Sequence, residues 1–103
     1  MTQFTVYKNP NKRSRRRVPF LLDVQVDLLD RLATRVVVPL VLVSELRPAR
    51  HLNPTFDIAG KTVVMSTAEL VGVHLSVIGE PVADLRDHRA TIIGALDFLF
   101  TGV

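Results

Sequence analysis

The chain has no cysteine and no tryptophan, a single tyrosine (Tyr7), and no apolar run that approaches the length of a membrane span. The lack of cysteine removes disulfides, thiolate metal ligands and thiol nucleophiles, and suits a reducing cytoplasm. A membrane helix needs roughly 18 consecutive apolar residues. The opening Met1-Thr2-Gln3-Phe4-Thr5 has neither the basic region nor the apolar stretch of a secretory signal. A cytoplasmic domain without membrane contact is therefore expected. Catalytic signatures are missing too: there is no His-Glu-x-x-His, no glycine-rich phosphate loop and no strand-elbow nucleophile. His51, His74 and His88 fall in different elements, so their spacing suggests no metal site. Asp23, Asp27 and Asp30 lack a calcium-loop pattern and read as ordinary surface carboxylates. No catalytic set, metal or cofactor is expected, which leaves binding.

What is present is one domain, residues 1–103, with 48% hydrophobic residues, mainly Val and Leu, and a positive mean hydropathy. That is enough for a single modest core and too apolar for disorder. The formal net charge of +3 hides an asymmetry. Lys8, Lys12, Arg13, Arg15, Arg16 and Arg17 form a basic cluster with no acid among them, while the remainder of the chain is net negative. Such a cluster attracts an anionic partner, nucleic acid or acidic protein, or simply solvates a hairpin loop. Specific duplex recognition is disfavoured, because no recognition helix is apparent and no aromatics interleave the arginines.

Along the chain, Gln3–Tyr7 alternates polar and apolar as a half-buried strand does, and Asn9-Pro10-Asn11 breaks it. Residues 19–26 resume as a strand, with Phe20, Leu22, Val24 and Val26 on one face and Asp23 and Gln25 on the other. Asp27-Leu28-Leu29-Asp30 reads as a turn with two exposed leucines. Residues 35–42 are strongly β-forming, and Pro39 there implies an edge or a bulge. Residues 44–55 read as a loop. Phe56–Ile58 and Thr62–Met65 flank a hairpin connection at Ala59-Gly60-Lys61. Residues 66–72 suit a helical turn or loop, and Val73–Ile78 a further strand ended by Gly79-Glu80-Pro81. From about Asp84 the period becomes helical, with Leu85, Ile92, Leu96 and Leu99 as a stripe that Ile93 and Phe100 widen. Gly94 either weakens this helix or allows close packing on the sheet. Strands followed by one helix, without βαβ alternation, give an all-β or α+β class. The helix ends Phe98-Leu99-Phe100-Thr101-Gly102-Val103, apolar to the last residue, a terminus that is either packed or presented to a partner.

Five ordered blocks carry a family resemblance: residues 3–7, 23–30, 35–40, 77–85 and 100–103. In these the chain resembles, end to end, the CcdB toxins of bacterial toxin–antitoxin modules. The resemblance implies a mostly β (α+β) fold, an SH3-like barrel with a small additional sheet and a C-terminal helix, assembled as a homodimer. It implies a toxin that binds the DNA gyrase A subunit and traps gyrase on cleaved DNA, making and breaking no bond itself. It further implies a CcdA-like antitoxin whose disordered acidic tail wraps the toxin. The two together repress their own operon, so operator DNA is met only through that complex, in the service of plasmid maintenance. The gyrase-contacting positions implied are Asp97, Thr101, Gly102 and Val103; those for the antitoxin are Gln3, Phe4, Val26, Leu28 and Leu29. Phe98, Leu99 and Phe100 are expected in core or dimer packing.

The chain departs from the best-known members in ending Thr101-Gly102-Val103 where they carry Trp-Gly-Ile, and in having Val26 where a Ser is common. Its 8–17 loop is also more basic. Arg13, Arg15, Arg16 and Arg17 are expected to help capture the acidic antitoxin tail by charge. Arg35 reads as an ion-pairing surface group. The alternatives are an endoribonuclease of the MazF and Kid kind on the same fold, using Arg35 or another basic group with His51, a nucleic-acid-binding module acting through the basic loop, and a degenerate toxin that keeps only antitoxin binding. The family fold alone does not carry ribonuclease activity.

Overall fold

In the computed structural model, which describes all 103 residues, seven strands form one curled, open antiparallel sheet with a single C-terminal helix. The strands are β1 (Thr5–Lys8), β2 (Phe20–Asp23), β3 (Thr34–Leu42), β4 (Thr55–Ile58), β5 (Lys61–Met65), β6 (Val71–His74) and β7 (Pro81–Asp84); the helix is α1 (Arg89–Thr101). The spatial order is β4-β5-β3-β2-β1-β7, and β6 branches from β3. The mostly β, α+β class expected from the sequence is the one found.

β3 is the spine. It reads as a nearly continuous apolar run because both of its faces are buried. Val38 and Leu40 join Val6, Phe20, Leu22, Val63, Met65, Ile92 and Ala95 in the main core under α1. Val37 and Val41 join Val18 and Leu21 in a smaller cluster on the opposite face, flanked by Val73. One edge of β3 is shared: Thr34–Val37 pair with β6, and Leu40–Leu42 pair with β5. Pro39 falls in the gap between these partners while remaining in register with Leu21 of β2. The expected edge or bulge is thus corrected to a junction. The Pro39 carbonyl accepts from Ser66 N at 2.9 Å, on the side where its missing N–H would point, so no ladder donor is wanted there.

The β4–β5 hairpin closes as its sequence suggests. Ala59 (φ 49°) and Gly60 (φ 79°) form a two-residue loop with both φ values positive, between the paired Ile58 and Lys61. The end of the sheet differs from expectation. β6 stops at His74, Leu75–Val77 form a 3-10 turn, and Pro81–Asp84 make β7 against β1. Asp84, expected to open the helix, ends this strand and accepts from Arg86 N at 2.9 Å. Four residues rich in Pro and Val carry little period of their own, so pairing with β1 decides their state.

At the turn before β7, Gly79 N donates to the Lys8 carbonyl at 2.9 Å, and Lys8 N to Glu80 O at 2.8 Å. A Cβ on Gly79 would lie 2.6 Å from that same Lys8 oxygen. Gly79→Ala is therefore expected to separate β7 from β1 and cost about 1–3 kcal/mol, read as a lowered urea midpoint with unchanged slope. Gly94 behaves differently. Nothing lies within 4 Å of its built Cβ, so it faces open space and provides no close contact with the sheet.

Candidate binding surface

Three surface features converge on binding. The first is the turn after β2. Val26 is 44%, Leu28 91% and Leu29 48% exposed, and Asp27–Leu29 form a single 3-10 turn. Two leucines held in solvent need an anchor, and Arg35 supplies it. Its guanidinium is fully buried on the outer face of β3. Nε and Nη2 donate to Asp23 Oδ2 at 2.9 and 2.6 Å, Nη2 to the Gln25 carbonyl at 3.2 Å, and Nη1 to Asp30 Oδ1 at 3.2 Å. Asp27 Oδ1 lies 3.9 Å away. The Gln25 side chain bridges the two ends, accepting from Val36 N and donating to the Leu29 carbonyl. Asp27 also accepts from Gln3 N, and Asp30 from the Met1 ammonium. One guanidinium thus fastens the turn, the strand below it and the N-terminus.

This geometry corrects the surface readings of Asp23 and Arg35: both are buried, and they pair with each other. Burial pushes the Asp23 carboxyl above its ordinary 3.8, against the opposing pull of the Arg35 hydrogen bond, the Gln25 N–H and the Arg35 charge. Asp23 and Gln25 do point away from the main core, as alternation requires. The sequence gives no sign that the other face is also covered. Arg35 has no exposed atom to offer an RNA phosphate, and His51 sits elsewhere, against α1, so the two do not make an RNA-cleaving pair.

Phe4, expected among the antitoxin contacts, is corrected to a core residue. It is 3% exposed at φ 69°, with the Arg89 guanidinium 5.9 Å from its ring. The positive φ breaks the expected strand one residue before β1 begins. Gln3 stays at the surface margin, donating from Nε2 to the Val24 carbonyl.

The second feature is the end of α1. Ile92 and Ala95 are buried beneath it. Phe98 is half-buried, its ring 5.9 Å from that of His51. Phe100, placed with the apolar stripe by the sequence, is instead 70% exposed, and Val103 is 89% exposed. Asp97, Thr101 and Gly102 are exposed as well. Gly102 adopts the left-handed conformation (φ 74°) and donates to the Phe98 carbonyl at 2.9 Å, ending the helix as C-terminal glycines do. Thr101 Oγ1 donates to the Asp97 carbonyl at 2.7 Å, so its hydroxyl is held by the helix itself. Beside this tip, α1 and residues 48–55 enclose an open groove of about 810 Å³ that Gly94 leaves unfilled.

The third feature is the basic loop, and it is ordered. Asn9, 9% exposed, donates from Nδ2 to the Val18 carbonyl at 2.8 Å and to Ser14 Oγ at 2.9 Å, and accepts from Asn11 N. Backbone bonds from Ser14 and Arg15 to Asn11 O, and from Arg17 and Val18 to Ser14 O, coil the segment. Arg13, Arg15, Arg16 and Arg17 are all exposed on it.

The small curled sheet thus exposes an apolar ridge, a bare helical tip and a cationic loop, and shuts its buried arginine away from solvent. The family model described as CcdB protein matches residues 3–102, nearly the whole chain. The chain belongs to the CcdB family, and is a toxin of the toxin–antitoxin kind. No helix in it is long and apolar enough to cross a membrane.

Proposed function

We propose that this protein poisons DNA gyrase by binding its A subunit through the tip formed by Asp97, Thr101, Gly102 and Val103, catalysing no reaction itself. The observation that carries this reading is the conformation of the tip. The left-handed Gly102 turns Val103 out into solvent at the end of a helix anchored by Ile92 and Ala95. A preformed apolar point of this kind pays little ordering entropy on docking. The aromatic area lost with Thr101 is offset by the neighbouring Phe100 ring, 70% exposed. The active species is a homodimer acting in the cytoplasm. A CcdA-like antitoxin neutralises it through Gln3, Val26, Leu28 and Leu29, and through Arg13, Arg15 and Arg16, which face its acidic tail. Operator DNA is engaged only through the toxin–antitoxin complex, and plasmid maintenance is the biological setting.

Supercoiling by purified gyrase, with linear cleaved DNA scored in the same gel, tests the reading. Dose-dependent inhibition and cleaved-complex trapping are expected. Removal of Val103 should weaken both by about 30-fold or more, the scale of a hot-spot contact. The absence of any effect at micromolar toxin would leave family and fold standing and remove gyrase as the target.

A further inference from the structure

Lys8, Arg15, Arg16 and Lys61 line one crevice of about 640 Å³, although they come from three stretches of sequence: the end of β1, the loop after it and the start of β5. The sheet brings them together. Lys8 pairs with Phe20 in the β1–β2 ladder, and the Lys61 ammonium sits 5.9 Å from the centre of the Phe20 ring, so two cations flank one aromatic floor that is 5% exposed. The Gly79-Glu80 turn forms a wall, tied to Lys8 by the two backbone bonds described above. Arg15 and Arg16 reach the crevice from a loop that Asn9 and its own backbone bonds hold in one shape. Glu80 is the only acid in the lining, and its carboxylate lies 3.7 Å from the Lys8 ammonium. Arg15, Arg16 and Lys61 have no carboxylate partner in the chain: the ion pairs are those of Met1, Lys8, Arg35 and Arg86. A surplus of three positive charges is therefore held in one concave place. Gathering like charges costs the fold stability, which a bound anion returns.

We propose that this crevice is a binding site for a short oligophosphate, free or as the terminal phosphates of a nucleotide, gripped by Arg15, Arg16 and Lys61. The proposal goes beyond the gyrase and antitoxin readings and rests on neither. Guanidinium forks donate in pairs to phosphate oxygens, and a lysine ammonium adds a point charge. A phosphate chain concentrates several negative charges in a volume that one crevice can surround, whereas a lone carboxylate engages one cation and leaves the others bare. A duplex fits poorly. It carries one charge per about 1.7 Å of its axis and needs a continuous cationic track, but Glu80 closes this one, Arg17 lines a different groove and Arg13 lines neither. A base finds nothing to stack on, because Phe20 is the only aromatic in the lining and lies buried beneath Lys61. The site thus grips the phosphate chain and leaves any nucleoside in solvent.

Two double variants separate the crevice from diffuse attraction to the loop: Lys61→Gln with Arg16→Gln inside it, and Arg13→Gln with Arg17→Gln outside it. Both remove the same charge, and all four side chains are exposed, so thermal melting without ligand should show both variants folded. Calorimetry at physiological salt, where charges beyond about 8 Å are largely screened, is run with inorganic tripolyphosphate, adenosine triphosphate and a duplex DNA. Tripolyphosphate and adenosine triphosphate should bind within about threefold of each other, since no ring holds the base. The inner pair should weaken both about thirtyfold or more, the scale of two lost charge-assisted contacts, and the outer pair about threefold at most. Ligand should also raise the melting temperature of wild type and of the outer pair, and leave that of the inner pair unmoved. Equal losses from the two pairs would overturn the crevice in favour of diffuse attraction, and so would the absence of tripolyphosphate binding at millimolar ligand. Adenosine triphosphate bound far more tightly than tripolyphosphate would overturn recognition of the phosphate chain alone. Duplex bound more tightly than either, with both pairs of variants weakening it alike, would overturn the proposal in favour of a nucleic-acid surface.

Discussion

Arg35→Met should cost about 3–5 kcal/mol of folding stability near neutral pH, the scale for removing one partner of a buried ion pair. The loss comes less from the missing attraction than from what is left behind. Asp23 stays 0% exposed with no countercharge at 2.6 Å, the carbonyl of Gln25 loses its Arg35 donor, and Asp30 is left with the Met1 ammonium alone. The deficit should depend on pH with a definite sign. Burial already raises the Asp23 carboxyl above 3.8, with Arg35 opposing the rise. Without Arg35 it rises further. A folded-state pKa above the unfolded one means the native chain holds the proton more tightly. The variant is then relatively most stable below the unfolded value, and loses stability as pH climbs through the window up to the folded value. Urea denaturation from about pH 4 to about pH 7 should show the gap to wild type widening with pH. Asp23→Asn placed on top of Arg35→Met should recover part of the loss at neutral pH, because a neutral amide is left where a bare carboxylate was. A gap that stays constant with pH, and no recovery in the double variant, would mean that the lost packing of Arg35 and not the stranded carboxylate sets the cost.

Leu28→Asp should behave in the opposite way. Its side chain is 91% exposed, so folding stability is expected to stay within about 0.5 kcal/mol of wild type. Affinity for the antitoxin should fall by about 30- to 1,000-fold, the scale of about 2–4 kcal/mol at a central apolar anchor. Titration calorimetry of toxin and variant against the same antitoxin reads both the affinity and any loss of apolar burial, the latter as a smaller negative heat-capacity change. Unaltered affinity would remove the Leu28–Leu29 ridge from the antitoxin contacts and leave it free for another role. Because the Arg35 hub fixes this turn from below, the two variants form a pair: one undoes the support and the other the proposed point of contact.

The elements that could be read from the chain are those whose signal is local. The Ala59-Gly60 hairpin is visible because Gly60 (φ 79°) supplies a positive φ at no steric cost between two β-forming runs, while Ala59 (φ 49°) accepts it against its own preference. The turn at Asp27–Leu29 and its exposed leucines follow from carboxylates bracketing an apolar pair. α1 shows its period of 3.6, although its start lies nearer Arg89 than Asp84. The misreadings share another cause. Asp23 and Arg35 carry the chemistry of surface groups, and only their mutual distance, across two strands, makes their burial tolerable. Pro39 looks like an edge residue because nothing in its neighbourhood in sequence reveals that β6 and β5 divide one side of β3 between them. Phe100 belongs to the apolar stripe by period, and within the single chain it is 70% exposed, which excludes the core and leaves the dimer packing expected of it untouched.

For the binding surface the division is similar. The basic character of residues 8–17, the leucine pair and the apolar terminus are properties of composition, and the order of five sequence blocks identifies the family. Whether a given cation faces a crevice or open solvent depends on which strands lie beside it. The sequence by itself determined the element types with strong period or strict turn chemistry, the class of the fold and the family, because those signals arise within a few residues or along one aligned order. The tertiary structure alone decided that Arg35 is an anchor, that Phe4 is core, that Phe100 is bare and that Lys61 joins Arg15 and Arg16. Each of these depends on contacts between segments remote in sequence, and burial, pairing and exposure are set by what the rest of the chain places around a side chain rather than by its own chemistry.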